Sequence, residues 1–307
     1  MTERWRSLAR DIGAAHGLGG DALMVGVSGD PDRIASVRAD AGRYAVAIAP
    51  DLPEHINTLF ARLFRDPFLV EWLAVGSVHR NALCNQLSRM ACDFVIFHEL
   101  GHVLAGHASV LEAQELALSE LELVRHKAAP ALPTQTRQIW EYEADIVGAG
   151  FLAQSAAALI RELQKDHAGK QSRAIFGPPQ ISVEQVASLA IISGFTLFRF
   201  IREAAQDLDR ASYHPDPLVR AFVLRDAIHA ELSKEFSIND ELFVTLLGVR
   251  FEEFNDALEA IGISSGVPLD DRGIERVNAE MSQLVKDARA YRLDHPDLGW
   301  LSWPSLC

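Results

Sequence analysis

Cysteine is scarce, with three in 307 residues (Cys84, Cys92 and Cys307) and no CxxC pair among them. That excludes a disulfide framework and points to reduced thiols in a reducing compartment. Basic charge is also short: 29 Lys and Arg face 42 Asp and Glu, a formal net charge of −13. A nucleic-acid-binding surface would normally carry the opposite excess, so no nucleic-acid partner is expected. No uninterrupted apolar run reaches the roughly 18 residues that a membrane span needs. The most hydrophobic stretch, "VASLAIISGFTLFRFI" from Val186 to Ile201, is broken by Arg199 and reads as a helix buried in a large core. The opening "MTERWRSLARDIGAAHGLGG" lacks the apolar segment of a secretory signal. Repeats, low-complexity tracts and an interdomain linker are missing too. With 49% hydrophobic residues, disorder is excluded. The expectation is one soluble, cytoplasmic domain over 1–307.

Three short runs rich in Val, Ile or Tyr come early: "ALMVGVS" (22–28), "RIASVRA" (33–39) and "RYAVAIAP" (43–50). Gly, Asp or Pro bound each, as in the strands of a small antiparallel sheet within 20–50. In the last run Tyr44, Val46 and Ile48 alternate with Ala45, Ala47 and Ala49, giving one bulky and one small face. From Pro53 onward the pattern is helical, near 53–65, 67–75, 80–105, 108–126, 134–164, 182–208, 217–234, 239–247, 250–261 and 272–291. The fold class expected is therefore α+β, mostly helical. The small sheet packs on a helical core over 80–234, and a helical extension follows over 235–307. Two loops interrupt the helices, "HKAAPALPT" (126–134) and the long "KDHAGKQSRAIFGPPQ" (165–180), the second suited to a lid. The tail "HPDLGWLSWPSLC" reads as a cover for the core or a partner surface.

One stretch breaks the economy of a buried helix. "CDFVIFHELGHVLAGH", residues 92–107, sets three histidines and a glutamate among apolar residues. Within it, His98 to His102 form HExxH. Residues four apart on a helix share a face, so both imidazoles can meet one ion. Neutral imidazoles suit zinc, and a catalytic zinc needs a third protein ligand and an open position for water. Glu99, next to His98, is placed to act as general base toward a metal-activated water.

The third ligand lies elsewhere. HExxHxxGxxH would need Gly and His where the chain has Ala105 and Ala108. On a continuing helix His107 would lie about 140° around from His102; a break at Gly106 would redirect it toward the ion, but the expectation is that it caps a helix end or faces solvent. Downstream, "QIWEYEADIVGAGFLAQ" places Glu141 and Asp145 one turn apart among apolar neighbours. Two acids near a core need a reason. Glu141 is the candidate third ligand. Asp145 is the candidate acceptor for the second N–H of a ligating histidine. Glu143 would point roughly 160–200° away from that pair.

HExxH followed by ExxxD on a later helix resembles the gluzincin metallopeptidases. The fuller "HELGH … EYEADIVGA", with "YHPDPLVR" from Tyr213 to Arg220, looks like the CAAX prenyl protease and HtpX-like branch. The resemblance implies a zincin-like fold and a Zn2+-dependent endopeptidase acting on a protein or peptide. It also implies that His214 stabilises the oxyanion and Arg220 helps hold the site, a role for His214 compatible with a donor aimed at developing charge. Unlike that branch, this chain is expected to have no membrane span. Its size and layout also resemble Lit-type phage-exclusion peptidases, which cut one host protein. "RYAVAIAP" is a candidate edge strand for substrate, or equally an internal strand. Two alternatives stay open beside the peptidase: a metal-stabilised interaction protein without activity, and a latent protease covered by the 165–180 loop. Substrate preference and oligomeric state are not legible.

Overall fold

The computed structural model describes residues 2–19, 22–29, 35–72, 77–113, 118–119, 133–165, 170–206, 214–264, 270–296 and 298. The chain opens with helix α1 (Thr2–Ala15) and strands β1 (Leu23–Val27), β2 (Ala35–Asp40) and β3 (Arg43–Ile48). Ala41 and Gly42 join β2 to β3, both with positive φ (49° and 75°). That is the twist a two-residue hairpin requires, so β2 and β3 pair antiparallel. β1, however, pairs with β3 in parallel, and a two-residue strand β4 (Leu118–Ser119) pairs antiparallel with the far side of β2. The order β1-β3-β2-β4 makes the sheet mixed rather than antiparallel. The hairpin turn is encoded locally, whereas β1 finds its partner through tertiary packing. β3 has partners on both sides, so "RYAVAIAP" is an internal strand and not the substrate edge.

Val25, Val37 and Val46 form one cross-strand row, and all three are buried. The sheet packs through β1 on α1, and through β2 and β3 on α4 (Ser77–Leu104). α1 is tied to α4 by Arg4, whose two terminal nitrogens each donate to Asp93 at 2.6 Å, and by the Trp5 indole N–H at 3.2 Å. From Met90 to Ala105 every residue of this part of the chain is buried, because α4 runs through the centre of the protein. Apolar residues fill most of this enclosed part, and the buried Asp93, His98, Glu99 and His102 are the exceptions that need partners.

The other helices are α2 (Leu52–Leu63), α3 (Pro67–Trp72), α5 (His107–Ala113), α6 (Thr134–Leu163), α7 (Lys170–Phe176), α8 (Ser182–Gln206), α9 (Pro217–Leu232), α10 (Asp240–Ala260) and α11 (Asp271–Asp294). Of these, α2, α5, α6, α7 and α8 pack on α4, while α9, α10 and α11 form an outer layer on α6 and α8, with α3 against α10. The architecture is α+β and mostly helical, with a helical C-terminal region. Three local expectations change. Of the helix expected over 108–126, the described residues show α5 over His107–Ala113 and strand β4 at Leu118–Ser119. The two helices expected over 239–261 are one, because Phe243, Leu247, Phe251, Phe254 and Leu258 form an unbroken buried stripe across Gly248. A helical glycine costs only about 1 kcal/mol, which such a stripe outweighs. Within 165–180, α7 and the 3-10 turn Pro179–Ile181 are regular structure, and buried Phe176 helps seat α7 beside α4 and α8. The 126–134 loop, save its last two residues, and most of the tail lie outside the described residues.

Among the described residues, Thr134–Leu163 and Pro179–Glu203 are long and apolar enough to cross a membrane by length and composition. In the second, 89% of the most apolar window is buried inside the protein, as in a core helix. The first carries three acids in the interior.

α4 and α6 make the most extensive helix–helix contact. It closes on two glycines. A Cβ on Gly101 would lie 2.7 Å from the carbonyl oxygen of Ala144, and one on Gly148 would lie 3.0 Å from the backbone nitrogen of His98. Gly101→Ala should therefore force the helices apart and cost about 1–3 kcal/mol, read as a lower Tm. Gly150→Ala is the control, since its Cβ meets nothing within 4 Å. Equal melting of Gly101→Ala and wild type would show slack at this crossing.

Candidate metal centre

The close crossing brings the acids of α6 onto the histidines of α4. His98 and His102, one turn apart, place their Nε2 atoms 3.1 Å from each other. Glu141 reaches over from α6, with Oε2 3.3 Å from Nε2 of His98 and Oε1 3.7 Å from Nε2 of His102. All three side chains are buried. Two imidazole nitrogens and a carboxylate oxygen thus converge in a group that could hold a metal ion. Among the described residues this is the only such group. Two ring nitrogens at that separation can share one proton at most, and a cation satisfies both together with the carboxylate. Glu99 is buried beside His98 on α4.

The far side of His98 is tightly specified. Its Nδ1 meets Oδ1 of Asp145 at 2.8 Å. Asp145 in turn accepts from Nε and a terminal nitrogen of Arg220, each at 2.8 Å. The Arg220 guanidinium lies 4.0 Å above the Phe198 ring and 3.8 Å from Glu141. A carboxylate held by two arginine donors accepts a proton donor from His98, so Nδ1 carries the hydrogen and Nε2 faces the centre with its lone pair. Arg220 stands on the first turn of α9, and His-Pro-Asp-Pro builds that start. Asp216 accepts from the Leu218 amide at 2.9 Å, Pro217 occupies the first helical position, and Arg202 holds the other Asp216 oxygen at 3.1 Å. Immediately before this cap, His214 puts Nδ1 3.1 Å from Oε2 of Glu141. The structure therefore gathers His98, His102, Glu141, Asp145, His214 and Arg220 into one place, with Glu99 buried next to His98 in the chain. A cavity of about 10 Å³ adjoins them, lined in part by His214, Arg202 and Phe198. It has room for roughly one water.

One residue departs from expectation, and a second finds a partner that was not foreseen. His107 neither faces solvent nor continues the line of α4. Gly106, with φ of 83°, turns the chain, and His107 begins α5 fully buried. Its Nδ1 lies 3.0 Å from Nδ1 of His102, and its ring stacks on Trp140 at 4.7 Å between centroids. Glu143 does leave the Glu141 side of α6, yet not for water. It is fully buried, 2.7 Å from Nε2 of His107, and accepts two hydrogen bonds from Arg292, each of 2.6 Å. A signal for it was present in the sequence: Trp140, Tyr142 and Ala144 flank Glu143, so this part of α6 has no solvated face. Arg292 carried no local signal, because it arrives from a helix 149 residues away.

Burial, then the neighbouring His98, holds His102 well below its ordinary value of 6.5, and burial likewise lowers His107. Burial works against the charge of all three acids but is overcome. His214 and His98 hold Glu141 well below the usual carboxylate range. His107 and Arg292 lower Glu143, and Arg220 and His98 lower Asp145. Below the ordinary histidine value of 6.5 the unfolded chain therefore binds protons that the folded chain refuses at His102 and His107. Folded-state stability should be full above that pH and fall as acid is added. A further loss follows below the ordinary carboxylate values of 4.5 and 3.8 as the three acids are neutralised. The metal-free protein should accordingly melt lower near pH ~5 than near pH ~7.5. A Tm that does not change between them would contradict the buried neutral histidines.

No protein-family model, curated protein or solved structure matches this chain, so its role is argued from the centre itself.

Proposed function

We propose that the chain is a zinc-dependent endopeptidase of gluzincin type, acting on a protein or peptide substrate in the cytoplasm. The observation that carries the reading is the convergence of His98, His102 and Glu141, with Glu99 beside them on the same helix. Borderline-soft imidazoles with one carboxylate favour zinc, and three protein donors leave a position open, as catalytic rather than structural sites do. Zinc bound there would acidify water and polarise a carbonyl. Glu99 takes a proton from the attacking water at its carboxylate and delivers it to the leaving amine. His214 is oriented through Nδ1 by Glu141. To donate its Nε2–H to the oxygen where negative charge develops, the ring must be doubly protonated. Asp145 and Arg220 touch no substrate in this scheme and hold His98. The HELGH, EYEAD and HPDPLVR motifs, which resemble those of CAAX prenyl and HtpX-like proteases, support the same assignment. The acidic net charge of −13 speaks against nucleic acid as the substrate.

The enclosure of the centre favours a second reading. His98, Glu99 and His102 are at most 1% exposed and the adjoining cavity is about 10 Å³, which suits an ion that stabilises an interaction protein rather than one that meets a peptide.

Glu99→Gln separates the two. The variant should keep one zinc per chain by elemental analysis, yet lose about 10²–10⁴-fold in the rate of cleaving an unfolded protein or peptide library. Equal cleavage by wild type and variant would remove Glu99 from the mechanism. Stoichiometric zinc with no cleavage by wild type, and a Tm that collapses on chelation, would establish the second reading instead.

A further inference from the structure

His98 and His102 are held from behind in parallel ways, and only the first was expected. Behind His98 the order is Asp145, then Arg220 of α9. Behind His102 the order is His107, Glu143, then Arg292 of α11. With a neutral His107, proton accounting along the second series has one consistent solution when it starts at the outer end. Arg292 only donates, and it fills one site on each oxygen of Glu143. Ionised Glu143 only accepts, so the 2.7 Å contact at Oε2 takes a hydrogen from Nε2 of His107. A neutral His107 then offers a lone pair at Nδ1. The 3.0 Å contact there requires the hydrogen to sit on Nδ1 of His102. That leaves Nε2 of His102 bare, the atom that faces His98 and Glu141.

The ring of His107 is held in its plane as well as at its edges. It stacks within 6° of parallel on Trp140, whose indole N–H donates to the Tyr291 hydroxyl at 3.0 Å. Tyr291 and Arg292 are neighbours near the end of α11, so one short stretch of that helix supports both His107 and Glu143. Arg292 also donates to the carbonyl of Ala105 at 3.1 Å, where α4 ends and the Gly106 turn begins. Elsewhere α11 is lightly anchored, with four buried residues among its 24. Its C-terminal end reaches the end of α4 through the Arg292 contact with Ala105.

We propose that His107 and Glu143, braced by Tyr291 and Arg292, are positioning residues that fix His102 as the Nδ1–H tautomer, so that α11 sets the metal affinity of the centre. This rests on His98, His102 and Glu141 holding an ion, and not on peptide cleavage. Ligand-orienting contacts of this kind are worth about 10- to 100-fold in metal affinity.

Two measurements test it on the full chain with zinc. Nitrogen-15 imidazole spectra of the wild-type protein should show His102 protonated at Nδ1 and bound through Nε2, with His107 protonated at Nε2 only. His107 protonated at Nδ1 would overturn the proposal, and this reading needs no variant to fold. Chelator competition then compares His107→Phe, which keeps the stack on Trp140 and removes both nitrogens, with Arg292→Ala. Each should bind zinc about 10- to 100-fold more weakly than wild type while its metal-free form still melts cooperatively. Folded variants that bind zinc as tightly as wild type would overturn the relay alone. A wild-type chain that takes up no zinc would overturn the centre and the relay together. Zinc bound and weakened as expected, without cleavage of any peptide, would sustain the relay and refute the peptidase reading.

Discussion

The closeness of α4 and α6 is the constraint on which the centre depends. A carboxylate on one helix can share an ion with imidazoles on another only if the backbones approach within a side chain's reach. Here Gly101 lies against Ala144 and Gly148 lies against His98, positions where a methyl group would meet backbone atoms at 2.7–3.0 Å. Gly101 sits inside HELGH itself, between the two histidines that could bind a metal. Its lack of a side chain lets Glu141 on the turn before Ala144 reach their ring nitrogens. The candidate metal-ligand motif thus also carries one of the two glycines that set the crossing.

Bringing the helices together also buries charge, and the fold answers that cost in a consistent way. α6 carries acids on two faces, Glu141 and Asp145 toward one side and Glu143 toward another. Each meets a histidine, and Asp145 and Glu143 each also take a bidentate arginine. Replacing buried ion pairs with apolar residues is often neutral or stabilising, so such pairs are weak evidence of a stability role. What they supply is direction. Each arginine donates to both oxygens of a carboxylate, and that carboxylate then orients a histidine: Asp145 meets Nδ1 of His98, and Glu143 meets Nε2 of His107. The arginines come from α9 and α11, which gives two late helices a stake in the geometry of an early one.

Much of this was legible in the residues. The period of α4, the enclosed character of "DFVIFHELGHVLAG", the turn-by-turn pairing of His98 with His102 and of Glu141 with Asp145, and the Pro-flanked start of α9 all follow from local spacing. The β2–β3 hairpin follows from its Ala41-Gly42 turn. Harder to read were the parallel partner of β1, the continuity of α10 through Gly248 and the short strand after α5. Each depends on what packs against the segment and not on the segment's own pattern. The place of His107 is illegible for a related reason. Extrapolating α4 past Gly106 points it away from His102, but a left-handed glycine redirects the chain by an amount that helical periodicity does not contain.

The sequence by itself determined which side chains share a helix face, because a 3.6-residue repeat converts spacing into direction without reference to anything else. It thereby named the two imidazoles, the acid beside them and the pair of acids one turn apart. Tertiary structure alone decided that those two faces meet, that Glu143 is enclosed, and that Arg292 closes a series of contacts begun 190 residues earlier at His102. The physical reason is that hydrogen bonds and ion coordination act over about 3 Å, while the groups they join are brought within that range only by the packing of helices far apart in the chain.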